Sequence, residues 1–377
     1  MSASGIDFER LAGSGIRKLR AYDPGHDLVA LRRRFGVGGL AELGSNENPY
    51  GPSPRVREAI LAALDDLHRY PDPLGGDLKR ILAAKHGVAS AQLLLGNGSH
   101  ELLMQFAQVF AGPGASVAAS QYGFAVYALA AQASGADFIA APAFPRRHAM
   151  ARGHDLDAIA DAIAPSTRLV YLANPNNPTG TWYGAAAFAA FMGKVPENTL
   201  VVVDEAYAEL ADAPDYASAI PLIGRYPNLI VTRTFSKAYA LAALRIGYAV
   251  AHAELIAVME RVRESFNVNA MGLAAAEAAM GDAEHLRAGC AANIERRDAL
   301  ARALRDRGHG VYPSQTNFLL VEFGPRSVAL ESELVERGVV LRPMAGYGLP
   351  ECLRITVGDA AENARLLQAL DGVRNGP

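Results

Sequence analysis

The segment TRTFSKAYALAALRIGYAV, residues 232–250, holds a single lysine, Lys237, preceded by Phe235 and Ser236 and followed by the apolar run Leu241, Ala242, Ala243 and Leu244. An ammonium held among apolar residues tends to lose its proton, because desolvation disfavours the charged form. A neutral amine near pH 7 is a nucleophile toward carbonyls. Lys79 and Lys85 stand among charged residues, where a solvated ammonium is expected. Asp204 closes the run Val201, Val202, Val203. A carboxylate at the end of a buried strand needs a cation or strong donors, or its pKa rises. A protonated heterocyclic nitrogen is such a cation, and Tyr207, three residues on, is placed to donate to a phenolate oxygen. Reading Asp204 and Glu205 as a metal pair is weaker, since consecutive strand residues point to opposite faces.

Two further motifs add polar groups. NPNNPTG, residues 174–180, is a rigid turn in which Asn177 precedes a proline and is biased away from helical geometry. It presents an amide suited to a fixed ligand oxygen. LLLGNGSHELLMQFAQVF, residues 93–110, reads as a strand, a glycine turn at Gly96 and Gly98, and a helix opened by the amides of Ser99 and His100. Unpaired N–H groups and the positive end of the helix dipole make such a terminus a phosphate site. It is neither a P-loop nor a GxGxxG fingerprint, which removes the case for a dinucleotide dehydrogenase. The ligand that satisfies all these groups is pyridoxal 5'-phosphate. Lys237 would form the Schiff base, and Asp204 would hold the pyridine nitrogen protonated. Asn177 and Tyr207 would bind the ring oxygen. Ser99, Thr234, Ser236 and Arg245, with the backbone at Gly98 and His100, would hold the phosphate. Each motif alone has a plain structural reading, from a snorkelling lysine to an unliganded turn; their combination does not.

These residues need a scaffold. RLVYLANP (168–175), LVVVDEAY (200–207) and NLIVTRTFSK (228–237) read as buried strands ending in polar residues, and GAAAFAAFMGKV lies between the first two as a helix. That βαβ rhythm predicts an α/β fold, a mostly parallel sheet covered on both faces, with ligands at the carboxyl ends of the strands. Asn177, Asp204 and Lys237 all fall at those ends. ESFNVNAMGLAAAEAAM opens a long helical pattern, followed by short strands and a final amphipathic helix, which predicts a smaller α+β unit. The expected division is an arm over 1–45, a large cofactor-binding unit over 46–270 and a small unit over 271–377.

Composition narrows the class. The chain has 377 residues, a formal net charge of -3, half of its residues hydrophobic and two cysteines far apart. The nearest approach to a basic block is Arg32, Arg33, Arg34, so nucleic acid is not an expected partner. Cys290 and Cys352 form no CxxC pair, so neither a disulfide framework nor a zinc site is expected. No signal pattern opens the chain, and no apolar stretch approaches the roughly 20 residues that span a bilayer. The expectation is a soluble, cytoplasmic, metal-free enzyme.

In order along the chain stand IRKLRAYDPG, LGSNENPYGPSPRV, HRYPDPLGGDLK, GNGSHELL, NPNNPTG, VVVDEAYAEL, TRTFSKAYALAALRIGY, FNVNAMGLAAAEAA and LRITVG. This series resembles the fold-type-I class I/II aminotransferases, and within them the histidinol-phosphate aminotransferases, over nearly the whole chain. The resemblance implies a three-layer aspartate-aminotransferase-like fold and ping-pong transfer of an amine from histidinol phosphate to 2-oxoglutarate. It implies that Lys237 also carries the 1,3-proton shift, and that Phe124 (with Tyr122 as second candidate) stacks on the cofactor ring. Tyr70 would reach the cofactor phosphate of a neighbouring subunit, hence a homodimer with shared sites. Tyr22, Asn48, Arg342 and Arg354 would contact substrate, Arg354 gripping its anionic end. An aromatic amino-acid aminotransferase or a phospho-amino-acid decarboxylase shares the pattern. A non-enzymatic regulator would carry an extra DNA-binding unit, for which the chain has no spare residues. His100 replaces an acidic residue or asparagine usual there, and Ala240 and Ala243 replace glycines. Alanine is acceptable there if those residues are helical, so that the changes adjust packing rather than abolish activity.

Overall fold

Runs of branched apolar residues alternate between the two faces of a central sheet. Val201 and Val203 belong to one core and Val202 to the other; Val170 and Leu172 divide from Leu169 and Tyr171 in the same way. A sheet buried on both faces gives strands that read as continuous apolar runs, which is why they are legible. The computed structural model describes residues 6–19, 26–36 and 38–374.

In chain order the strands among the described residues are β1 (Ala41–Glu42), β2 (Leu93–Gly96), β3 (Ser116–Ser120), β4 (Asp137–Ala141), β5 (Thr167–Ala173), β6 (Leu200–Asp204), β7 (Leu229–Thr234), β8 (Gly247–Ala251), β9 (Gly310–Val311), β10 (Phe318–Glu322), β11 (Val339–Val340), β12 (Arg342–Pro343) and β13 (Cys352–Thr356). The central sheet has the order β2-β8-β7-β6-β5-β3-β4. β4, β3, β5, β6 and β7 run parallel, and β8 is antiparallel to both of its neighbours. This is the mostly parallel α/β architecture the pattern predicts.

A second sheet, β12-β13-β10-β9, is antiparallel. One face packs Leu319, Val321, Leu353 and Ile355 against Leu300 and Leu304 of the helix Ala283–Asp306 and Leu366 and Leu370 of the helix Ala360–Arg374. β1 pairs in parallel with β11, so the N-terminal segment joins the C-terminal one.

The helical pattern after residue 269 is two helices, not one. Ala270–Met280 ends at Gly281, and Asp282 caps the next helix by accepting from the amide of His285. Leu273, Ala275, Ala276 and Ala279 of the first helix pack in the core of the central sheet. The helix Ala270–Met280 therefore packs with the central sheet, and the chain breaks at Gly281–Asp282 before the next helix. Among the described residues no helix is long and apolar enough to cross a membrane.

Candidate active site

Lys237 lies in a tight loop beyond β7. The amide of Ala240 donates to its carbonyl at 3.0 Å, and the amide of Leu241 donates to Phe235 O at 3.0 Å. Its Nζ donates to the carbonyls of Ser45 (3.3 Å) and Asn46 (3.1 Å) and sits 5.9 Å from the centre of the Tyr207 ring. Burial, then the positive charge of Arg354, lowers its pKa to about 8. Lys85 is exposed, as its sequence setting suggests, but its ammonium donates to Tyr239 Oη at 2.7 Å, and the surrounding protein lowers its pKa too.

Asp204 is buried at the carboxyl end of β6. Tyr127 Oη donates to its Oδ2 at 3.1 Å and Thr232 Oγ1 to its Oδ1 at 3.3 Å. Burial outweighs these donors and pushes the carboxyl up to about 6. Tyr127 is in turn stacked on Tyr171, ring centres 4.8 Å apart. Glu205 points to the other face, where Arg233 pairs with it at 2.6 Å, so strand alternation does separate the two acids.

Asn46 Nδ2 donates to Tyr207 Oη at 2.9 Å, which directs the phenol's own hydrogen elsewhere. Tyr207 is buried and its pKa is pushed up to about 12, so it remains a donor. Arg354, on β13, donates from Nη1 to Asn177 Oδ1 at 2.7 Å and from Nη2 to Gly44 O at 2.8 Å. Arg342 on β12 is the register partner of Arg354, so two cationic side chains share one face of the sheet.

The phosphate candidates also converge. Gly98, at φ 84°, caps the helix Ser99–Phe110, and a β-carbon there would stand 2.5 Å from Arg245 Nη2. A β-carbon on Gly247 would stand 2.5 Å from the Ser99 amide. Arg245 Nη1 donates to Ser236 Oγ at 3.3 Å, and Thr234 Oγ1 accepts from the Ser236 amide at 3.1 Å. His100 is exposed beside them, its imidazole held below the usual histidine range by the surrounding protein and by Arg245.

The remaining candidates divide. Phe124 packs edge-on to Tyr127, ring centres 5.9 Å apart, and so borders the Asp204 pocket. Tyr122 faces the other way, toward Arg152. Asn48 spends its Nδ2 on the carbonyls of Lys237 (3.3 Å) and Ala238 (3.0 Å), bracing the lysine loop. Tyr70 is 81% exposed and stacks on Phe266. Tyr22 lies outside the described residues. Ala240 is not helical: its φ is 58°, in the left-handed region, whereas Ala243 lies in a short 3-10 turn. Asn46 and Tyr127 were not singled out from sequence. A φ of 56° at Asn46, which asparagine tolerates, was the available kind of signal only once the fold was known.

Pyridoxal phosphate fits this donor set. Among the described residues no cation pairs with buried Asp204, which suits a protonated ring nitrogen. The close approach of the Arg245 guanidinium to Gly98, at a helix end with no side-chain cap, suits a phosphate. A model of the family described as aminotransferase class I and II matches residues 39–370. The chain belongs to that family. As an aminotransferase of this class it is a pyridoxal-phosphate-dependent transaminase. It is 44% identical to histidinol-phosphate aminotransferase 2 of Methylococcus capsulatus, over 96% of this chain and 98% of that one. The solved histidinol-phosphate aminotransferase of Sinorhizobium meliloti, in complex with pyridoxal-5'-phosphate, superposes with a TM-score of 0.85 at 33% identity, covering 96% of both chains. The L-threonine-O-3-phosphate decarboxylase of Porphyromonas gingivalis superposes with a TM-score of 0.78 at 23% identity, over 89% of this chain and 100% of that one, and so shares the fold alone.

Proposed function

We propose that this aminotransferase moves the amine of histidinol phosphate to 2-oxoglutarate, a step of histidine biosynthesis. The observation that carries the reading is the pair Arg342 and Arg354, register partners on β12 and β13, with Arg354 hydrogen-bonded to Asn177. Histidinol phosphate has no α-carboxylate, so two arginines on one face of the sheet suit its phosphate, and Arg354 serves the carboxylate of glutamate in the other half-reaction. Relatives at 44% identity carrying that name support the same substrate. No observation favours the aromatic or decarboxylase readings.

Bound pyridoxal phosphate supplies an aldehyde carbon that exchanges amines and a ring that accepts an electron pair. The chain's own residues do the rest. Lys237 Nζ, with a pKa near 8, is partly unprotonated at neutral pH and carries protons to and from the substrate carbon. Asp204 holds a proton on the ring nitrogen, braced by Tyr127 and Thr232. Tyr207 and Asn177 present donors to the ring oxygen. Gly98, Ser99, His100, Thr234, Ser236 and Arg245 hold the phosphate, and Phe124 covers the ring. Asn48 acts by bracing the Lys237 loop.

We also infer a homodimer, in which Tyr70 reaches the partner's site. Exposed Leu61, Leu64, Leu67, Tyr70 and Leu74 follow one another in the chain and support that surface. A cytoplasmic location is supported by two free cysteines. The test of function is an absorbance scan of purified protein with histidinol phosphate, then 2-oxoglutarate. The visible cofactor band should vanish and return, and neither change should occur in Lys237→Ala. A band that histidinol phosphate leaves untouched while glutamate bleaches it would overturn the substrate but not the reaction class.

A further inference from the structure

Arg152 is a buried arginine that takes no part in the chemistry above. It sits in the left-handed region at φ 63°, a conformation that costs a non-glycine residue free energy and persists only where its surroundings hold it. Its own loop does not need its side chain: the backbone closes through Arg152 N to Phe144 O (2.9 Å) and Phe144 N to Gly153 O (3.0 Å). The guanidinium is instead divided among three segments. Nε donates to Tyr312 Oη at 2.9 Å, Nη2 to Glu351 Oε1 at 2.7 Å, and Nη1 reaches Tyr122 Oη at 3.5 Å. The Tyr122 and Tyr312 rings flank it, their centres 5.8 and 5.7 Å away.

Those segments carry the two halves of the site. Tyr122 lies two residues before Phe124, and its carbonyl accepts from Asn176 Nδ2 at 2.9 Å, next to Asn177. Glu351 lies three residues before Arg354, and its carbonyl accepts from Phe323 N at 2.9 Å and Ser327 Oγ at 2.6 Å. Each attachment point is thus fixed to its own side, and Arg152 bridges them with a planar fork that lysine lacks. We propose that Arg152 is a positioning residue that sets the spacing between the cofactor-covering segment at Phe124 and the substrate-gripping strand at Arg354. It thereby governs how well the anionic end of the substrate is held. The inference rests on the assignment of Arg354 to that anionic end.

The experiment compares wild type, Arg152→Lys, Arg152→Met and Tyr312→Phe for cofactor affinity, melting temperature and steady-state constants. In Arg152→Met the KM for histidinol phosphate and for glutamate should rise about tenfold, with kcat and cofactor affinity within about threefold of wild type. Arg152→Lys should recover part of the loss. Tyr312→Phe, which removes one hydroxyl, should shift KM the same way by less and covers the case in which Arg152→Met fails to fold. The proposal is overturned if KM is unchanged, or if kcat and cofactor affinity fall in step with KM as general loosening would make them. If wild type does not turn over histidinol phosphate, it is the substrate reading that fails, and the glutamate half-reaction still tests Arg152 through its own KM.

Discussion

Arg354 Nη1 donates to Asn177 Oδ1 at 2.7 Å, joining a residue assigned to substrate with one assigned to cofactor. Arginine has no acceptor, so this contact fixes which way the asparagine amide points. Oδ1 faces the guanidinium, which leaves Nδ2 for the donor role proposed above. On the roles proposed above, the strand that grips the substrate anion would also orient a cofactor ligand.

Replacing Arg354 by lysine keeps the charge but loses the fork that reaches both Asn177 and Gly44. We expect kcat/KM to fall about a hundredfold, roughly 2.7 kcal/mol of transition-state stabilisation. The cofactor absorbance should shift as well, since Asn177 is no longer held. An unchanged spectrum alongside the kinetic loss would show that the two residues act separately.

Lys237 has a folded-state pKa near 8 against 10.5 for the free side chain. Between those values the unfolded chain binds the extra proton, so stability contributed by this site rises as pH increases from about 8 to 10.5. Below pH 8 the folded apoenzyme bears the full cost of a buried ammonium. Apo Lys237→Met should accordingly melt higher than apo wild type at pH 7, and the gap should close toward pH 10. The rate of cofactor uptake by apo wild type should inflect near pH 8 rather than above 10. Uptake that still climbs steeply beyond pH 10 would mean the lysine is not desolvated.

The strand ends were legible because Val201, Val202 and Val203 are buried on both faces, so their run stops abruptly at an acid. Lys237 and Asp204 stood out as charges beside apolar runs. Tyr127 did not, since a tyrosine in the alanine-rich helix Ala125–Ser134 reads as core until Asp204 is brought to its hydroxyl. The pairing of Arg342 with Arg354 is a matter of strand register, which their separate motifs do not encode. Asn46 and Arg152 depend on a left-handed backbone and on partners distant in the chain. Lys85 is exposed as its sequence suggests, yet its ammonium reaches Tyr239 Oη, a partner distant in the chain that no local pattern names.

Ala240 exposes the same gap from the opposite side. An alanine with φ of 58° costs about 1–2 kcal/mol relative to a relaxed backbone. Glycine removes that strain but loses about 0.4–1 kcal/mol through the unfolded chain. Ala240→Gly should therefore stabilise the protein by roughly 0.5–1 kcal/mol, read from the denaturant midpoint at constant slope. The substitution leaves the hydrogen bond from residue 240 N to Lys237 O in place, so kcat should stay within about twofold. A destabilised glycine variant would mean that the strain is compensated at that position.

Asp204 has its pKa raised from 3.8 to about 6 in the folded chain without cofactor. The folded state then binds more protons between those two values, so stability falls as pH rises through that window and the cost persists above pH 6. Asn at this position removes the buried charge and keeps one acceptor oxygen, so one of the two hydroxyls, Tyr127 or Thr232, must accept from the amide Nδ2 instead. Apo Asp204→Asn should melt above apo wild type at pH 8, and the advantage should shrink as pH approaches 4. Its kcat should fall by at least about a hundredfold, because no carboxylate then holds the ring-nitrogen proton. Tyr127→Phe sharpens the argument: the phenol lowers the Asp204 pKa, so its removal should move the acid limb of the pH–rate profile upward. An acid limb that stays put in Tyr127→Phe would assign that limb to another group and separate the stability effect of Asp204 from its part in the reaction.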